Sequence, residues 1–458
     1  MPEPSVSQPH RVLIANRGEI ALRITRACRL LGLHSIGIHS EADASLAHLR
    51  LVDETLCIGP AAASGSYLDA ARVLRAAELT NADIIHPGYG FLSENAGFAE
   101  AVEQSGRTLA GPTAAIMRLM GDKISAKQQM RRSGVPCLPG TEDALPTDLS
   151  EAQTICDAIG YPLIVKAAGG GGGRGMRVVM TAADLRDAIE TAREEAGRAF
   201  GNPSVYAERF LQHPRHIEIQ VLADRQGNAV WLGARDCSIQ RRHQKLIEEA
   251  PAIGIDPQAI AELGERCANA CTLMGYTGAG TFEFLYEDGA FSFIEMNTRL
   301  QVEHPVTEMT TGIDIVREQL LIAMGQPLSF TQADIRTQGH AIECRINAED
   351  PESFRPAPGK VLSWRAPGGP GVRIDTHLYD GYVVPPNYDS LIAKLIVHGT
   401  DRTDALNRMH AALSEMQITG IATTTPLHLR LMTEPGVRDG GVSVSVHYLE
   451  ALMRKSGS

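Results

Sequence analysis

The amino-acid sequence predicts a mixed α/β and α+β fold, in which a domain built on a parallel sheet is followed by regions of antiparallel sheet. Near the start of the chain, an apolar strand over residues 11–15 leads into a loop and helix over 16–32 and then a strand over 35–40. This order is typical of a parallel sheet with helices packed on it. Beyond residue 339, short strands alternate with turns, and helices from Asp401 onward close the chain, which is typical of antiparallel sheet.

The length of 458 residues is enough for about three domains, each with its own core. A helical pattern breaks at residues 120–122, and we place the first domain boundary there. We therefore predict three domains, over residues 1–121, 122–335 and 336–458.

The composition excludes several classes of protein. A net charge of −11 argues against general affinity for nucleic acid, which needs a basic surface. The N-terminal residues lack the pattern of a signal peptide, and no apolar run approaches the ~20 residues that span a bilayer. The eight cysteines are scattered without a CxxC pair, as in a reducing compartment; Cys267 and Cys271, four apart, indicate packing on one helix face. We expect a cytoplasmic protein that binds neither nucleic acid nor membranes.

The first strand–helix turn lacks the G-x-G-x-x-G pattern, because only Gly18 is present there. This makes NAD or FAD an unsuitable ligand for the N-terminal domain. Residues 86–95 (HPGYGFLSEN) follow a predicted strand and place turn-forming residues around Tyr89. Such a segment is either a loop at the ligand-binding edge of the sheet or a plain rigid turn.

Lysine is rare in this chain, with seven lysines against 36 arginines. Where arginine is so strongly preferred, a retained lysine suggests that a compact ammonium group is needed. Lys123 and Lys127 lie four residues apart and so on one face of a predicted helix. Either this is a solvated face or Lys123 reaches a phosphate group.

A glycine-rich loop joins two predicted strands. The strand over residues 163–165 leads into Lys166, five consecutive glycines over 169–173, Arg174 and a second apolar run. A Walker A loop is excluded, since that motif opens a helix with Gly-Lys-Ser/Thr. Glycine N–H groups can approach a phosphate closely, so we interpret the segment as a phosphate clamp that could also close as a lid. The alternative is a flexible linker.

Two further segments could bind an anion or a base. Residues 208–211 lie where a strand becomes a linker, a position suited to backbone hydrogen bonds with the edge of an adenine. His216, shortly after it, is by itself more typical of a structural histidine. Basic side chains then cluster within eleven residues, which is either a solvated basic turn or the local positive charge that an anion requires. The cluster comprises Arg235, Arg241, Arg242, His243 and Lys245.

Residues 281–297 predict a β-hairpin around Glu287-Asp288-Gly289. A two-residue Asp288-Gly289 turn would place Glu283 opposite Ile294, whereas a three-residue loop would place it opposite Glu295. Two facing carboxylates repel, so the second register requires a cation between them, and Mg²⁺ suits such a site. The alternative is a pair of solvated glutamates on an exposed sheet face.

Strand alternation places Asn297 and Phe293 on the same face of the second strand as Glu295. A dense polar run follows, comprising Arg299, Gln301, Glu303 and His304. Further on, apolar residues alternate with Glu343 and Arg345 over 341–346, so Arg345 is either functional or part of a cross-strand ion pair at the surface. Taken together, the phosphate clamp, the lysines, the basic cluster and the facing glutamates describe ATP with Mg²⁺ at a sheet-lined cleft. Because the phosphates would justify a cation, we predict the three-residue loop.

Several long motifs resemble biotin carboxylase, an enzyme of the ATP-grasp superfamily. They are KAAGGGGGRGMRVV, QRRHQK, FIEMNTRLQVEHPVTE, HPGYGFLSENA and ECRINAEDP, and the similarity runs in order over residues 11–450. The resemblance implies an N-terminal α/β domain, an ATP-grasp module with a mobile glycine-loop lid over about 138–210, and a C-terminal antiparallel domain around one site.

The resemblance also implies roles for individual residues. Binding of ATP is assigned to Lys123, Lys166, Gly172, Gly173, Met176, Glu208, Arg209, Phe210, Leu211, His216, Gln240 and His243, and, through Mg²⁺ or Mn²⁺, to Glu283 and Glu295. The metal would be held by Glu283, Glu295 and Asn297. Bicarbonate and biotin would be bound by Lys245, Arg299, Gln301, Val302, Glu303, Arg345 and Tyr89. Of these, Lys245, Arg299, Glu303 and Arg345 would be catalytic, with Glu303 as the general base and Arg345 facing biotin.

The implied reaction is the ATP- and bicarbonate-dependent carboxylation of biotin through carboxyphosphate, as in the first half-reaction of acetyl-CoA carboxylase in fatty acid synthesis. No lysine lies in a Met-Lys-Met context, so we expect a separate biotin carboxyl carrier protein and carboxyltransferase subunits. The resemblance also implies a homodimer. The alternatives are the corresponding subunit of another acyl-CoA or pyruvate carboxylase, a different ATP-grasp carboxylating ligase, and a nucleotide-binding regulatory module without catalysis.

Overall fold

The computed structural model describes residues 10–169, 176–439 and 444–456. The N-terminal region contains β1 (Arg11–Ile14), α1 (Gly18–Leu30), β2 (His34–Ser40), β3 (Glu54–Gly59), α2 (Ala70–Leu79), β4 (Ile84–His86), α3 (Ala96–Gln104), β5 (Thr108–Leu109) and α4 (Ala114–Gly121). The strands form one parallel sheet in the order β3-β2-β1-β4-β5. The predicted parallel sheet is therefore confirmed.

The loop that follows β4 lies at the carboxyl edge of this sheet. Asn16, just past the end of the adjacent strand β1, donates hydrogen bonds from its Nδ2 atom to the carbonyls of Pro87 and Tyr89, both at 2.7 Å. Gly88 adopts φ of +62°, and a Cβ atom there would approach Asn16 Nδ2 to 2.9 Å. The loop is thus built around a glycine and fixed to the end of the sheet.

The next region contains α5 (Lys123–Arg132), α6 (Leu149–Ile159), β6 (Leu163–Ala167), β7 (Met176–Val179), α7 (Leu185–Phe200) and β8 (Val205–Arg209). The strands form a small antiparallel sheet in the order β7-β6-β8. Leu163, Val165 and Val179 face α6 and α7 and form a separate core with them. Ile164, Lys166 and Met176 lie on the other face and line the large cavity described below. The small sheet, α6 and α7 all fall within the predicted lid over about 138–210.

The rest of the chain contains β9 (Arg215–Ala223), β10 (Ala229–Arg241), β11 (Gln244–Ala250), α8 (Pro257–Met274), β12 (Gly278–Glu287), β13 (Ala290–Asn297), α9 (His304–Thr311), α10 (Ile315–Ala323), β14 (His340–Asn347), β15 (Gly359–Lys360), β16 (Ser363–Arg365), β17 (Val372–Thr376), β18 (Val383–Val384), β19 (Leu391–Gly399), α11 (Arg402–Glu415), β20 (Gln417–Thr419), α12 (Thr425–Thr433), α13 (Pro435–Arg438) and α14 (Tyr448–Ser456). Eight strands form one antiparallel sheet in the order β13-β12-β9-β10-β11-β14-β19-β17. Because β11 pairs with β14, this sheet continues across the predicted division between residues 335 and 336.

The hairpin of β12 and β13 pairs Glu283 with Glu295, as the sequence predicts, but the predicted three-residue loop is wrong. Glu287 pairs with Ala290, so the turn has two residues, Asp288 and Gly289, with φ of +51° and +80°. Positive φ at both positions is the geometry of the tight turn that Asp-Gly favours. A register shift between the Glu283 and Phe284 pairs inserts one extra residue into β13 and restores the glutamate pair.

The same bulge decides which side chains of β13 share a face. Ile294 and Glu295 both line the cavity, whereas Phe293 packs in the core with Phe282 and Phe284. The prediction that Phe293 lies on the face of Glu295 is therefore wrong, because strict alternation does not hold across a bulge.

The structure shows the state of the cysteines and the length and polarity of the helices. All eight cysteines lie among the described residues and are free, and Cys267 and Cys271 are both buried in one core, as the packing interpretation predicts. In the part of the chain that the structure describes, no helix is both long enough and apolar enough to cross a membrane.

Candidate active site

A cavity of about 710 Å³ lies between the N-terminal sheet, the small sheet and the large sheet. It is lined by these predicted site residues: Tyr89, Lys123, Lys166, Met176, Arg209, Phe210, Leu211, His216, Gln240, His243, Lys245, Glu283, Glu295, Asn297, Arg299, Gln301, Val302, Glu303 and Arg345. Glu208 is buried and does not line the cavity. Gly172 and Gly173 lie outside the described residues. Residues from distant parts of the sequence thus converge on one space.

Two lysines point toward one part of the cavity from separate elements. Lys123 begins α5, whose N-terminus is capped by Asp122, and its Nζ atom lies 3.8 Å from Glu295 Oε2. Lys166 projects from β6 and donates to Glu208 Oε2 at 2.8 Å. Lys127 forms an ion pair with the other oxygen of Glu208 and is buried, so the solvated-face interpretation is wrong for Lys127. Glu208 therefore holds Lys166 from behind the cavity wall.

The end of the cavity near β8 is mostly apolar. It is lined by Leu138, Ile164, Met176, Tyr206, Leu285 and Ile294. The N–H groups of Arg209 and Phe210 already donate to the carbonyls of Pro139 and Pro162, at 2.9 and 3.0 Å. Of the predicted adenine-binding segment, these two residues can therefore offer their carbonyls, whereas their N–H groups are engaged within the protein.

Lys245 lies at the centre of a group of three buried carboxylates. Its Nζ atom contacts Glu218, lies 2.9 Å from Glu283 Oε1 and lies 2.7 Å from Glu303 Oε1. Burial lowers the pKa of Lys245, but the three carboxylates outweigh burial and raise it well above its ordinary value. The ammonium is thus charged and is the cation that this acidic centre requires.

Glu303 is also held by Arg345. The Arg345 Nη2 atom donates to Glu303 Oε2 at 2.8 Å, and Nε donates to Glu248 Oε1 at 2.6 Å. Burial alone would raise the pKa of Glu303, but Lys245 and Arg345 hold it at about 2. Glu303 is therefore ionised at neutral pH and can accept a proton. Arg345 thus does form a cross-strand ion pair, because Glu248 lies on β11 directly opposite Glu343. Only the predicted surface location is wrong, since the guanidinium lines the cavity.

Arg299 and Gln301 are fixed by acidic and amide neighbours. Arg299 donates to Glu94 Oε2 and to Asn297 Oδ1, both at 2.8 Å. Gln301 donates to Glu283 Oε1 at 2.8 Å. The polar run predicted after the hairpin thus folds back beside the glutamates of the hairpin and does not extend into solvent.

Glu283, Glu295 and Asn297 form a donor set that fits Mg²⁺ or Mn²⁺. Their carboxylate and amide oxygens are the hard ligands that these ions prefer. Asn297 Nδ2 donates to Glu283 Oε1 at 2.7 Å, which joins two of the three residues. Burial and the nearby Glu283 carboxylate both raise the pKa of Glu295. A divalent cation would remove this repulsion, so the residues present fit the predicted metal.

His216 lies on the other side of Glu283. Its Nε2 atom is 3.1 Å from Glu283 Oε2 and 3.2 Å from Glu218 Oε1. Burial lowers the pKa of His216, but Glu283 and Glu218 raise it to about 9. Although these three residues lie close enough to share an ion, Lys245 already contacts both glutamates. A protonated His216 therefore adds a second positive charge, besides that of Lys245, next to Glu218 and Glu283.

Glu218 and Glu248 are not among the predicted site residues, and Arg235 was predicted only as part of a basic cluster. Arg235 is fully buried and donates to Glu218, Gln220 and three other side chains. Apolar and polar residues alternate strictly over residues 217–221, which places Glu218 and Gln220 on one face of the strand. This pattern could have indicated Glu218 as a residue of the site. No local signal indicates which distant residue Arg235 pairs with.

The predicted basic cluster does not form a single anion site. Arg241 stacks on Phe354 at 4.0 Å, and Arg242 is exposed. His243 and Lys245 line the cavity, whereas Arg235 lies within the sheet. Burial lowers the pKa of His243, so the cluster holds four positive charges and one histidine. The β10–β11 hairpin separates these side chains, since neighbouring residues of a strand point to opposite faces.

Tyr89 lines the N-terminal side of the cavity and is anchored from behind. Its hydroxyl donates to the carboxylate of Glu19, which lies on α1. This agrees with the interpretation of residues 86–95 as a loop at the ligand-binding edge of the sheet and not as a plain turn.

Comparison with known proteins gives a consistent result along the whole chain. Family models match residues 8–117 (biotin carboxylase, N-terminal domain), 122–331 (carbamoyl-phosphate synthase L chain, ATP binding domain) and 343–451 (biotin carboxylase C-terminal domain). Biotin carboxylase of Pseudomonas aeruginosa is 60% identical over 440 residues, which cover 96% of this chain and 98% of that protein.

Two solved structures share the fold. The biotin carboxylase–β,γ-ATP complex of Campylobacter jejuni is 48% identical with a TM-score of 0.92 and covers 96% of this chain and 98% of its own. The biotin carboxylase domain dimer of Hydrogenobacter thermophilus 2-oxoglutarate carboxylase, in complex with MgADP, ADP and bicarbonate, is 45% identical with a TM-score of 0.91 and covers 97% and 98%. The chain therefore belongs to the biotin carboxylase family, the ATP-dependent carboxylating ligases of the ATP-grasp fold.

Proposed function

We propose that this protein carboxylates biotin carried on a separate carrier protein, with ATP and bicarbonate as co-substrates and carboxyphosphate as the intermediate. The observation that carries the proposal is the position of Glu303, an ionised carboxylate between Lys245 and Arg345 at the wall of the cavity. A carboxylate so placed can take a proton from bound bicarbonate, and the two cations can bind the anion that results.

The geometry also supports an order of events. In the free site, Lys245 and Arg345 hold the pKa of Glu303 at about 2, which makes it a weak base. When bicarbonate enters, its negative charge competes for the Lys245 ammonium and the Arg299 guanidinium. Glu303 then loses part of its compensating charge and becomes more basic. Anion binding therefore comes before proton transfer.

The deprotonated bicarbonate attacks the γ-phosphorus of ATP, and ADP leaves. Lys123 and Lys166 are placed to bind the phosphates, and a divalent cation held by Glu283, Glu295 and Asn297 would neutralise charge on the β- and γ-phosphates. Carboxyphosphate then yields CO₂ and phosphate, and the phosphate removes the ureido proton of biotin. Arg345 stabilises the biotin enolate, which attacks CO₂.

The test is the rate of ADP formation with and without free biotin and bicarbonate. We expect ADP formation that requires bicarbonate and increases when biotin is added. Glu303→Gln, which keeps the side-chain shape but cannot accept a proton, should lower this rate by at least about 100-fold. If the wild-type rate of ADP formation does not increase when biotin is added, the proposal is contradicted. If Glu303→Gln forms ADP at the wild-type rate, a regulatory nucleotide-binding module is favoured.

The same proposal includes three domains, over residues 1–121, 122–335 and 336–458. It also includes a mobile lid over about 138–210 and the remaining roles of the predicted site residues. The separate core of α6, α7 and the β7-β6-β8 sheet supports a lid that moves as one body. A cytoplasmic homodimer is supported by the dimer of the 2-oxoglutarate carboxylase relative and by the eight free cysteines.

We propose acetyl-CoA as the final carboxyl acceptor, through a biotin carboxyl carrier protein and carboxyltransferase subunits. The second candidate is a 2-oxo acid, which is favoured by the 45% identity to the domain of 2-oxoglutarate carboxylase. Isolating the native complex and supplying labelled bicarbonate with each acceptor distinguishes the two. Label in malonyl-CoA supports acetyl-CoA, and label only in a carboxylated 2-oxo acid contradicts it.

A further inference from the structure

Lys394 is a fully buried lysine on β19 whose ammonium joins three distant parts of the chain. Its exposed fraction is 0%. The Nζ atom donates to the Val302 carbonyl at 2.9 Å and lies 3.0 Å from Glu19 Oε1. Val302 belongs to the polar run after the hairpin, and Glu19 belongs to α1. Nothing in the reaction described above uses Lys394 directly.

The contact with Val302 fixes the backbone from which Glu303 projects. The Val302 carbonyl belongs to the peptide group whose nitrogen is that of Glu303, and Glu303 is the residue that begins α9 as its N-cap. A hydrogen bond from a buried ammonium therefore holds the plane of this peptide. In the β14–β19 ladder, Lys394 pairs directly with Arg345, which donates to the Glu303 carboxylate. One step of the ladder thus holds Glu303 by both its backbone and its side chain.

The contact with Glu19 reaches the other side of the cavity. Glu19 accepts a hydrogen bond from the Tyr89 hydroxyl, and the Lys394 ammonium lies 6.0 Å from the centre of the Tyr89 ring. Because Tyr89 lines the cavity, the position of this wall depends on the same ammonium as the position of Glu303.

An ammonium suits this position better than a guanidinium. It is compact, and its three donors can point at separate acceptors. The other charged groups that face it are Asp375 on β17, at 4.0 Å, together with Glu343 and Arg345 on β14 and Arg373 on β17. Burial lowers the pKa of Lys394, but Glu19, Glu343 and Asp375 outweigh burial and raise it. Lys394 is also one of only seven lysines in the chain.

We propose that Lys394 is a positioning residue that holds the base Glu303 and the Tyr89 wall in fixed relation, so that the bicarbonate and biotin subsites form together. The inference rests on the proposed function of these subsites. It predicts that loss of the ammonium weakens the use of bicarbonate and biotin while the use of ATP is unaffected. Among the described residues, the polar contacts of the Lys394 ammonium are with Val302, Glu19 and Asp375 and not with the adenine and phosphate end.

The test is Lys394→Met, which keeps a long unbranched side chain and removes the ammonium. We expect KM for bicarbonate and KM for biotin to rise about tenfold, with KM for MgATP within twofold of wild type. Lys360→Met is the matched control, because Lys360 is exposed on β15, and all three constants should stay at their wild-type values.

A double variant separates positioning from stability. Lys394→Met leaves Glu19 buried without its cation, which lowers thermal stability. Adding Glu19→Gln removes that unpaired charge while its amide oxygen can still accept from Tyr89. We expect the melting temperature of the double variant to return toward wild type, and both KM values to stay raised.

Besides unshifted constants in Lys394→Met, three results would overturn the inference: an equal rise in all three KM values, wild-type KM values for bicarbonate and biotin in the double variant, or a double variant that does not fold. A wild-type protein without biotin-stimulated ADP formation would instead refute the proposed function. A wild type with that activity, combined with unshifted constants in Lys394→Met, would refute only the positioning role.

Discussion

At the scale of single residues, the site is organised by carboxylates that share few cations. Lys245 forms ion pairs with Glu218, Glu283 and Glu303, and Arg345 forms ion pairs with Glu248 and Glu303. Removing one member of such a buried group leaves another charge without a partner, which costs about 3–5 kcal/mol. Substitutions here should therefore be isosteric if chemistry and folding are to be separated.

The first prediction at this scale concerns the metal. We expect Glu295→Gln to raise the Mg²⁺ concentration for half-maximal ADP formation roughly tenfold, about 1.4 kcal/mol, because one anionic ligand becomes neutral. The measurement is a Mg²⁺ titration at saturating total ATP, and a chelator should abolish the reaction in both proteins. Asp288→Asn in the turn of the same hairpin removes the same charge away from the site and should leave the titration unchanged. Equal shifts in the two variants would mean that only general electrostatics is involved.

At the scale of elements, one inserted residue decides which side chains of the hairpin share a face. A regular ladder from the Asp288-Gly289 turn would set Glu283 opposite Ile294 and send the glutamates to opposite faces. The bulge in β13 restores the pair of Glu283 and Glu295 and adds Ile294 to the cavity wall. Bulges are typical next to active sites, where they redirect side chains.

Packing of α8 on β10 gives a prediction about stability. Gly264 lies against the ring of Trp231, and a Cβ atom there would approach the ring to 2.3 Å. We expect Gly264→Ala to destabilise the fold by about 1–3 kcal/mol, because the rigid, partly buried indole packs against the core and cannot move aside freely.

Gly197 in α7 is the matched control for this substitution. A Cβ atom at Gly197 meets only Pro203, at 3.8 Å, which is an ordinary contact. Alanine should therefore stabilise this helix by about 0.5–1 kcal/mol. Thermal unfolding of both variants measures the two effects, and a fall in melting temperature of equal size for Gly264→Ala and Gly197→Ala would contradict the packing argument.

At the scale of the whole molecule, several histidines are buried in their neutral form. Burial lowers the pKa of His48 and His428 to about 4 and that of His86 and His377 to about 3. Their ordinary pKa is about 6.5, so the unfolded chain binds these protons at a higher pH than the folded chain does. The stability that they contribute is complete above about pH 6.5 and is lost as the pH falls toward 4.

The loss of stability at lower pH gives a prediction for His48. Both ring nitrogens of His48 are buried without a hydrogen-bond partner among the described residues. We expect His48→Leu to reduce the loss of unfolding free energy between pH 7.5 and 5.5 by about 1.3 kcal/mol, since one titrating group is removed. Urea unfolding at the two pH values gives this difference. His213→Leu, at an exposed position, should show the wild-type pH dependence, and an unchanged dependence in His48→Leu would refute the prediction.

Much of the site could be predicted because its signals are local. The glycine loop, the hairpin with its two glutamates, and the polar run through Glu303 each lie within a short segment, and strand alternation assigns most of their faces. The turn length and the bulge in β13 could not be predicted in this way, because two turn lengths were compatible with the sequence and a bulge has no local signature of its own. The outcome depended on pairing with β12.

The sequence by itself therefore determined the parallel and antiparallel regions, because period and turn chemistry are local properties. The long motifs and the family that they resemble implied 19 of the residues that line the cavity. Only the tertiary structure decided which groups the buried charges contact: Glu218 contacts Lys245, Glu248 contacts Arg345, and Lys394 contacts Glu19 and the Val302 carbonyl. Each of these pairs joins separate elements, and the partner of a buried charge is chosen by the distance and desolvation that the fold imposes, which no short segment of sequence contains.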